Sequence, residues 1–436
     1  MRDFLSGDVR RREYVINIIK RVYESYGFEP LETPAVENLD TLLGKYGDEG
    51  NKLIFKILKR GEHEATGQAD LALRYDLTVP LARVVAQHQA KLPRLYKRYQ
   101  IQPVWRAERP ARGRFREFYQ CDVDSLGSTS PAVEAELCVA VSDVLRELKF
   151  RDFRIRINHR VILTALLTNA LVPPGQHADV LVVLDKLDKI GLEGVKRELA
   201  QRGVSEDCIT RIANWIGAEY SPEWLDWLER QFTLLDDTGR AAFQNIREIL
   251  GLTSTTSAGT HMKFEPTLAR GLSYYTGAIM EIDVADLAGS LGGGGRYDNL
   301  VGIFSGHNIP ACGFSLGLER ILVVMAERQM FPASLPESPA DVMIASFDAE
   351  GMSAAMALAA ALRAEGVRVL VYPEADKIGK QIKYADSRGI PFVALLGADE
   401  IQSGTVTVKD LAAQTQQTHD QAAAGAAIRE GLKKRG

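Results

Sequence analysis

Arginine side chains are concentrated in one short stretch of the chain, between two strand-like segments. Residues 106–116 contain a single acid, Glu108, and five arginines, which are Arg106, Arg109, Arg112, Arg114 and Arg116. Like charges at this spacing repel one another unless an anion lies between them, and planar guanidinium groups bind phosphate oxygens two at a time. The stretch therefore predicts a site for a phosphorylated ligand, with a solvated, arginine-rich surface loop as the alternative.

The segments on either side of this loop have the pattern of a β-hairpin. Residues 101–105 and 118–124 are strand-like, and the polar loop between them contains proline and glycine. Alternation along the second strand would place Gln120, Asp122 and Asp124 on one face, beside the arginines. This arrangement favours a polar pocket over a solvated loop.

An acid and a hydroxyl group, Asp76 and Thr78, occur where a strand-like segment runs into the start of a helix. Residues of these types often cap a helix, because their oxygens accept hydrogen bonds from the first backbone N–H groups. The same groups can instead contact a ligand. We favour the ligand role for Asp76, whereas Thr78 is compatible with both roles.

Two further stretches carry candidate ligand-binding residues. In residues 270–277, Arg270 is followed by Tyr274 and Tyr275, and glycines at both ends would let the backbone approach a ligand closely. Successive strand residues face opposite ways, so the tyrosine pair should be divided between core and pocket. Residues 311–321 read as a small-residue strand that enters a helix carrying Arg320. Pairing of that arginine with a helix carboxylate is the structural alternative.

The composition is that of an ordinary globular protein with two or three domains. The chain has 436 residues, of which 46% are hydrophobic and 25% charged, and its apolar runs are too short to span a membrane. No apolar signal segment follows Met1, and the four cysteines are far apart, which predicts a cytoplasmic protein without a zinc site. Because the net charge is only −4, any nucleic acid must bind to local basic patches.

Changes in pattern along the chain predict its larger divisions. Residues 171–259 are helical and highly charged, which suggests an inserted helical module without chemistry of its own. The amphipathic helix before it should expose Glu134 and Glu136. A proline-rich linker at 331–339 then marks a domain boundary.

The residues beyond the linker alternate between strands and helices. This alternation predicts a small α/β domain with a largely parallel sheet. One of its helices carries Lys377, Lys380 and Lys383 close to Gln381. The lysines form either a solvated helix face or a contact with an RNA backbone.

These stretches together resemble the class II aminoacyl-tRNA synthetases. A long N-terminal helix and a short extended segment ending at Pro34 resemble motif 1, residues 106–124 resemble motif 2, and residues 311–321 resemble motif 3. Residues 270–277 resemble the histidine loop of histidyl-tRNA synthetases, although Ser273 stands where that family usually has aspartate. The resemblance covers nearly the whole chain and narrows the class to this family.

The resemblance implies an α+β fold, in which the antiparallel sheet of class II synthetases is flanked by helices. Residues 1–170 would form the first part of the catalytic core and residues 260–330 its second part, with the helical insertion 171–259 between them. After the linker at 331–339, residues 340–436 would form an α/β anticodon-binding domain. Motif 1 implies a homodimer.

The functional residues of the family fall on matching positions of this chain. Histidine would be bound by Asp76, Thr78, Gln120, Asp124, Arg270, Tyr274 and Tyr275. ATP would be bound by Arg106, Glu108, Arg114 and Arg320, and Arg106 and Arg270 would be the catalytic residues. Transfer RNA would contact Arg109, Arg112, Lys377, Lys380 and Lys383. Many family members carry glutamate in place of Asp124.

The implied activity is ATP-dependent ligation of L-histidine to tRNA(His) through a histidyl-adenylate, with Mg²⁺ on the phosphates and without a covalent enzyme nucleophile. The alternative is the non-catalytic regulatory paralogue of ATP phosphoribosyltransferase, which generally lacks the anticodon-binding domain and loses ATP-binding arginines. Another class IIa synthetase would lack the loop at 270–277. Ala111 stands where glutamine is frequent in bacterial members, so we predict a different preference at the acceptor end of the tRNA.

Overall fold

The computed structural model describes residues 1–61, 66–216, 224–231, 237–269, 274–287, 289–332, 335, 338–347, 351–374 and 376–434. The chain forms two compact units. One comprises Met1–Leu5 and Arg11–Met330, and the other comprises Ser6–Arg10 and Phe331–Gly436. No helix within the described ranges is both long and apolar enough to cross a lipid bilayer.

The first unit is built on an eight-stranded sheet and a three-stranded sheet. In chain order the strands are β1 (Glu29–Pro30), β2 (Val36–Asn38), β3 (Lys56–Leu58), β4 (Ala69–Leu73), β5 (Tyr96–Trp105), β6 (Glu117–Leu126), β7 (Arg154–His159), β8 (Met262–Phe264), β9 (Ala278–Asp283), β10 (Gly292–Arg296) and β11 (Ala311–Gly317). The large sheet has the order β1-β5-β6-β11-β10-β9-β7-β8, and the small one the order β2-β4-β3. Within the large sheet, β1 pairs with β5 and β7 with β8 in parallel, and the other neighbours are antiparallel. The prediction of an antiparallel sheet is confirmed.

Helices surround these sheets. They are α1 (Ser6–Ser25), α2 (Leu39–Leu42), α3 (Gly47–Lys52), α4 (Thr78–His88), α5 (Ala132–Glu147), α6 (Arg160–Asn169), α7 (His177–Leu184), α8 (Leu187–Gln201), α9 (Glu206–Ile216), α10 (Trp224–Gln231), α11 (Asp237–Thr253), α12 (Gly302–Ser305) and α13 (Leu318–Glu327). Helix α11 packs against α5 and α6, so the helical segment after residue 171 shares a compact unit with the large sheet.

Helix α1 forms because apolar residues recur at helical spacing along one face. Gly27, just beyond its end, has a φ of +76°, a conformation that glycine adopts without steric cost. The helix buries Val15, Ile18, Ile19, Val22 and Tyr23.

Strand β10 consists of four successive glycines followed by Arg296 and lies between β11 and β9 in the large sheet. A Cβ atom on Gly294 would lie 2.0 Å from the carbonyl oxygen of Gly313 on β11. The close approach of the neighbouring strands therefore depends on the absence of side chains at residues 292–295.

The prediction that Glu134 faces solvent is wrong. This residue is fully buried on α5, where Nε and Nη2 of Arg296 donate to its carboxylate at 2.6 and 2.8 Å. A buried carboxylate is tolerated when a guanidinium group forms a bidentate ion pair with it. Glu136 is more exposed, and its carboxylate lies 2.8 Å from Nζ of Lys97.

The second unit is a small α/β domain. Its elements are β12 (Val342–Ser346), α14 (Gly351–Ala364), β13 (Val369–Val371), α15 (Ile378–Ser387), β14 (Phe392–Leu396), α16 (Ala398–Ser403), β15 (Thr405–Asp410), β16 (Thr415–Asp420) and α17 (Gln421–Lys433). The sheet order is β13-β12-β14-β15-β16, in which the first three strands are parallel and β15 and β16 form an antiparallel hairpin. The hairpin is an addition that the sequence pattern did not predict.

Candidate active site

The hairpin of β5 and β6 forms the floor of the candidate site. The two strands pair so that Arg98 lies opposite Asp124. On its other side, β6 pairs with β11, which places Ser315 opposite Asp122. Because successive residues of a strand alternate between faces, Gln120, Asp122 and Asp124 lie in a row on one face of β6.

Asp124 is held in a buried network of charge and hydrogen bonds. Its Oδ2 lies 2.8 Å from Nη2 of Arg98, and the two side chains are 3% and 0% exposed. The distance is that of an ion pair, but Oδ2 accepts no aligned hydrogen bond from any residue that the structure describes. The hydroxyl group of Tyr297 donates to Oδ1. Burial raises the pKa of Asp124, and Arg98 and Tyr297 act in the opposite direction.

Asp122 is 2% exposed and lies between Gln120 and Asp124. A hydrogen bond joins its carboxyl group to Ser315, whose hydroxyl oxygen also accepts from Nε2 of Gln120 at 3.0 Å. Burial raises the pKa of Asp122 to about 7, an effect that Arg98 opposes and Asp124 reinforces. Oδ1 of Asp122 and Oε1 of Gln120 have no hydrogen-bond partner in the described part of the chain.

Asp76 lies between β4 and α4 and caps the helix with one of its two oxygens. Oδ1 accepts from the hydroxyl group of Tyr46 at 2.9 Å and from the backbone N–H of Val79 at 3.1 Å. Oδ2 is buried and has no hydrogen-bond partner among the described residues. Burial raises the pKa of Asp76, and its two donors oppose this rise. Capping therefore leaves one acceptor oxygen for another group.

Tyr274 and Tyr297 connect the Asp76 side of the site to Asp124, and Tyr275 lies beside Tyr274. Their ring centroids are 5.1 Å apart in an edge-to-face arrangement, and the ring of Tyr297 lies 6.0 Å from that of Tyr274. Tyr274 is hydrogen-bonded to Thr78, and burial raises its pKa well above the ordinary value. Tyr275 is 8% exposed.

Arg106 lies between two aromatic rings. Its guanidinium carbon is 4.3 Å from the ring centroid of Tyr75 and 5.1 Å from that of Phe118, and its Nε donates to the carbonyl oxygen of Tyr75 at 3.2 Å. Stacking of this kind fixes the plane of a guanidinium group while its N–H edges can still bind an anion. The second predicted catalytic arginine, Arg270, lies outside the described residues, as does Ser273.

The loop between β5 and β6 lies against the start of α13. Gly113 has a φ of +70°, and a Cβ atom there would lie 3.2 Å from Cγ of Arg320. Nη1 of Arg320 donates to the carbonyl oxygen of Ser290. Within the loop, Arg114 and Glu108 form an ion pair at 3.6 Å. The loop that carries these two residues is thus in contact with the predicted arginine of motif 3.

Glu319 joins β6 to α13. Both of its carboxylate oxygens accept from the backbone N–H of Tyr119, at 3.1 and 3.0 Å. The residue is 2% exposed, and burial raises its pKa to about 7. This contact fixes the first turn of α13, on which Arg320 is the next residue.

The residues predicted to contact tRNA lie on the surface. Arg109 and Arg112 are exposed in the hairpin loop, but Arg112 forms an ion pair with Glu327 and donates to the carbonyl oxygen of Asp286 at 3.1 Å. An RNA phosphate would therefore have to compete with Glu327.

The three lysines of the second unit differ in their surroundings. Lys377, Lys380 and Lys383 are exposed, and Nζ of Lys380 lies 2.6 Å from Asp376. Gln381, which the sequence places beside them, is fully buried and donates to the carbonyl oxygens at 346 and 376.

The sequence patterns missed three residues of the site, which are Tyr46, Arg98 and Tyr297. A signal for Arg98 existed, because a hairpin centred near Ala111 places residue 98 opposite residue 124. Tyr46 and Tyr297 come from distant segments, and no local pattern connects them with the acids to which they donate.

These features define a class of protein. A large antiparallel sheet carries a hairpin with a row of buried polar residues, a loop rich in arginine and a following strand that leads into an arginine-bearing helix. This combination is the catalytic domain of a class II aminoacyl-tRNA synthetase, and the second unit is of the anticodon-binding type.

Comparisons with known proteins identify the family. The sequence pattern of Histidyl-tRNA synthetase matches residues 1–321, and that of the Anticodon binding domain matches residues 341–431. The histidine–tRNA ligase of Flavobacterium johnsoniae is 39% identical, over 99% of this chain and 97% of its own length. That of Gloeobacter violaceus is 41% identical, over 98% and 97%. The chain belongs to the histidyl-tRNA synthetase family.

Solved structures agree with this assignment. The histidyl-tRNA synthetase from Nostoc sp. PCC 7120 superposes with a TM-score of 0.81 at 30% identity, over 99% of this chain and 97% of that one. A protein from Bacillus halodurans described as an ATP phosphoribosyltransferase regulatory subunit/histidyl-tRNA synthetase has a TM-score of 0.73 at 20% identity, over 91% and 96%. At that identity the second likeness is one of fold alone.

Proposed function

We propose that this chain joins L-histidine to ATP, giving histidyl-adenylate and pyrophosphate, and then transfers the histidyl group to the terminal ribose of tRNA(His). The observation that carries the proposal is a set of buried side-chain oxygens that accept no hydrogen bond from the described residues. Oδ2 of Asp76, Oε1 of Gln120 and Oδ2 of Asp124 are three of them, and the last of these lies beside Nη2 of Arg98 in an ion pair. Leaving buried acceptors unpaired is costly, so a ligand that donates to them is strongly favoured.

Histidine has donors that match these acceptors. Its α-ammonium group would be bound by Asp76 and Gln120, with Thr78 and Tyr274 beside them. One ring nitrogen would donate to Asp124, and Tyr275 would contact the other. A site that bonds both ring nitrogens rejects analogues without them by roughly 10⁴ to 10⁵.

The first chemical step is an in-line attack of the histidine carboxylate on the α-phosphorus. It requires positioning and positive charge rather than a covalent enzyme nucleophile. Arg106, stacked between its two rings, would bind the α-phosphate and the carboxylate, and Arg270 would approach the same phosphate. By analogy with arginines in other phosphoryl transfers, one such residue contributes roughly 10³ to 10⁵ in rate.

The remainder of ATP would lie along the hairpin loop. Glu108 would lie near the adenosine, and Arg114 and Arg320 would bind the outer phosphates. Mg²⁺ would neutralise charge on the phosphates. Among the residues that the structure describes, no three His, Cys, Asp or Glu side chains are grouped as a protein metal site requires.

Recognition of tRNA(His) would use exposed cations of both units. Arg109 and Arg112 would meet the acceptor end, where Ala111 predicts a preference different from that of glutamine-bearing relatives. Lys377, Lys380 and Lys383 would contact the RNA backbone in the anticodon-binding domain. Assembly as a homodimer stays a prediction from motif 1.

The decisive experiment is ATP–pyrophosphate exchange with each of the twenty amino acids in turn, followed by charging of tRNA(His). We expect exchange with histidine alone, and charging of the tRNA. Arg106→Ala should abolish most of the exchange, whereas the control Gly251→Ala, on an exposed face of α11 with open space around it, should not. Exchange with another amino acid, or none at all, would refute the proposal and favour a different synthetase or a regulatory role.

A further inference from the structure

Asp122 is a buried acid in the middle of the site. Asp122 is two residues from Gln120 and two from Asp124 on β6, so its side chain lies on the same face as theirs. It therefore faces the region between the two ends of the proposed histidine site. The negative charges of Asp124 and Asp76 both raise the pKa of Asp122. Its Oδ1 has no hydrogen-bond partner among the described residues.

The number of acceptors on this side of the site matches one particular group. Oδ2 of Asp76, Oε1 of Gln120 and Oδ1 of Asp122 are buried acceptors, each without a partner within the described ranges. An ammonium group carries three N–H donors and no acceptor. Ser315 is hydrogen-bonded to both Gln120 and Asp122, and the charges of Asp76 and Asp122 both raise the pKa of Tyr274, so the three acceptors belong to one neighbourhood of the site.

We propose that Asp122 is a binding residue for the amino acid substrate and accepts the third N–H of its α-ammonium group, beside Asp76 and Gln120. The role rests on the proposed function and adds a residue to it. The charges near Asp122 are consistent with this role. The buried guanidinium group of Arg98 pairs with Asp124, and the ammonium group of the substrate would bring a second positive charge to the buried carboxyl groups.

A purely structural role for Asp122 is the competing explanation. In that case its carboxyl group would serve only as a partner of Ser315, tying β6 to β11. The two explanations differ in which part of the ligand is affected by a substitution. A binding role affects only ligands that carry an ammonium group, whereas a structural role affects every ligand of the site.

The test compares three ligands on purified full-length protein at pH 8. Histidine carries both end groups, histidinol keeps the ammonium group without the carboxylate, and imidazolepropionate keeps the carboxylate without the ammonium group. The KM for histidine and the competitive inhibition constants of the other two are measured in ATP–pyrophosphate exchange, for wild type and Asp122→Asn. Asp152→Asn, an exposed acid paired with Arg328 away from the site, is the matched control.

We expect Asp122→Asn to raise the KM for histidine and the inhibition constant of histidinol by about 10- to 100-fold, the value of one charge-assisted hydrogen bond. The inhibition constant of imidazolepropionate and the KM for ATP should stay unchanged, as should all constants of Asp152→Asn. Asp122→Ser, which keeps a neutral oxygen, should change the same constants in the same way. Agreement between the two variants shows that the effect is not due to a folding defect caused by asparagine.

Two outcomes would overturn the inference while leaving the proposed function intact. One is an unchanged KM for histidine in the Asp122 variants. The other is an equal loss for imidazolepropionate, which would assign Asp122 a structural role. A wild-type protein that does not respond to histidine would instead refute the proposed function, and this role with it.

Discussion

Gly313 on β11 lies directly opposite Asp124 on β6, and the space that a side chain would need is occupied by the carboxylate. A Cβ atom at 313 would lie 1.9 Å from Oδ1 and 2.6 Å from Cγ of Asp124. In the variant Gly313→Ala, the Asp124 side chain must therefore rotate away. The rotation would separate it from Arg98 and from Tyr297.

The expected effect follows from what Asp124 would lose. If Asp124 in its new position accepts no hydrogen bond from histidine, the variant loses one charge-assisted hydrogen bond, worth about 1.5 to 3 kcal/mol. That corresponds to a rise of about 10- to 100-fold in the KM for histidine. The KM for ATP should not change, because the atoms nearest to an added methyl group at 313 belong to Asp124 and Val123 and not to the arginines of the hairpin loop.

The assay is ATP–pyrophosphate exchange at varied histidine and varied ATP, with thermal melting of each variant. Gly251→Ala adds the same methyl group on a helix surface and should leave both KM values unchanged. A double-mutant cycle with Asp124→Asn isolates the mechanism, because two changes that act through the same side chain are not additive.

Either of two results would refute this reasoning. A wild-type KM for histidine in Gly313→Ala would mean that Asp124 does not bind the ligand. Additive losses in the Gly313→Ala, Asp124→Asn double variant would mean that the glycine acts by another route.

Three further predictions concern the acids of the site. Arg98→Met leaves Asp124 buried without its cation, so chemical denaturation should show a loss of about 3 to 5 kcal/mol; a loss below about 1 kcal/mol would contradict a buried ion pair. Tyr46→Phe removes one donor to Asp76 and should raise the KM for histidine about 10-fold in the exchange assay, with an unchanged value as the contrary result. For Asp122, which faces Arg98, Asp124 and Asp76, the folded pKa of about 7 exceeds the unfolded value of about 4. The folded protein thus keeps a proton that the unfolded chain releases, and this carboxyl group lowers the free energy of unfolding as the pH rises from about 4 to 7. Asp122→Asn should therefore gain stability relative to wild type between pH 5 and pH 8 in urea titrations, and a constant or falling difference would count against the raised pKa.

Patterns set by neighbouring residues were predictable from the sequence. Periodicities of two or 3.6 residues are enough to predict the hairpin, the change from strand to helix around Asp76, and the alternating strands and helices of the second unit. The row of Gln120, Asp122 and Asp124 on one face is of the same kind, because it needs only the alternation of a strand. The family resemblance supplied the expected roles.

Features that depend on distant partners were not predictable in this way. Glu134 has the position of a solvated helix residue, and only Arg296, 162 residues further along, makes its burial possible. Tyr46 likewise reaches Asp76 through tertiary folding alone. Strand β16 was missed because its sequence, Thr415–Asp420, is polar and largely exposed, so that it has no apolar alternation to detect.

The glycine strand β10 limits how this enzyme can be re-engineered. Side chains at 292, 294 and 295 would meet backbone carbonyl oxygens at 2.5, 2.0 and 2.6 Å, and a carbonyl group, unlike a flexible side chain, cannot swing aside. Libraries randomised along this strand should consist almost entirely of inactive clones, whatever amino acid is selected for. Directed evolution toward histidine analogues must therefore draw its diversity from side chains of other elements of the site and leave this strand unchanged.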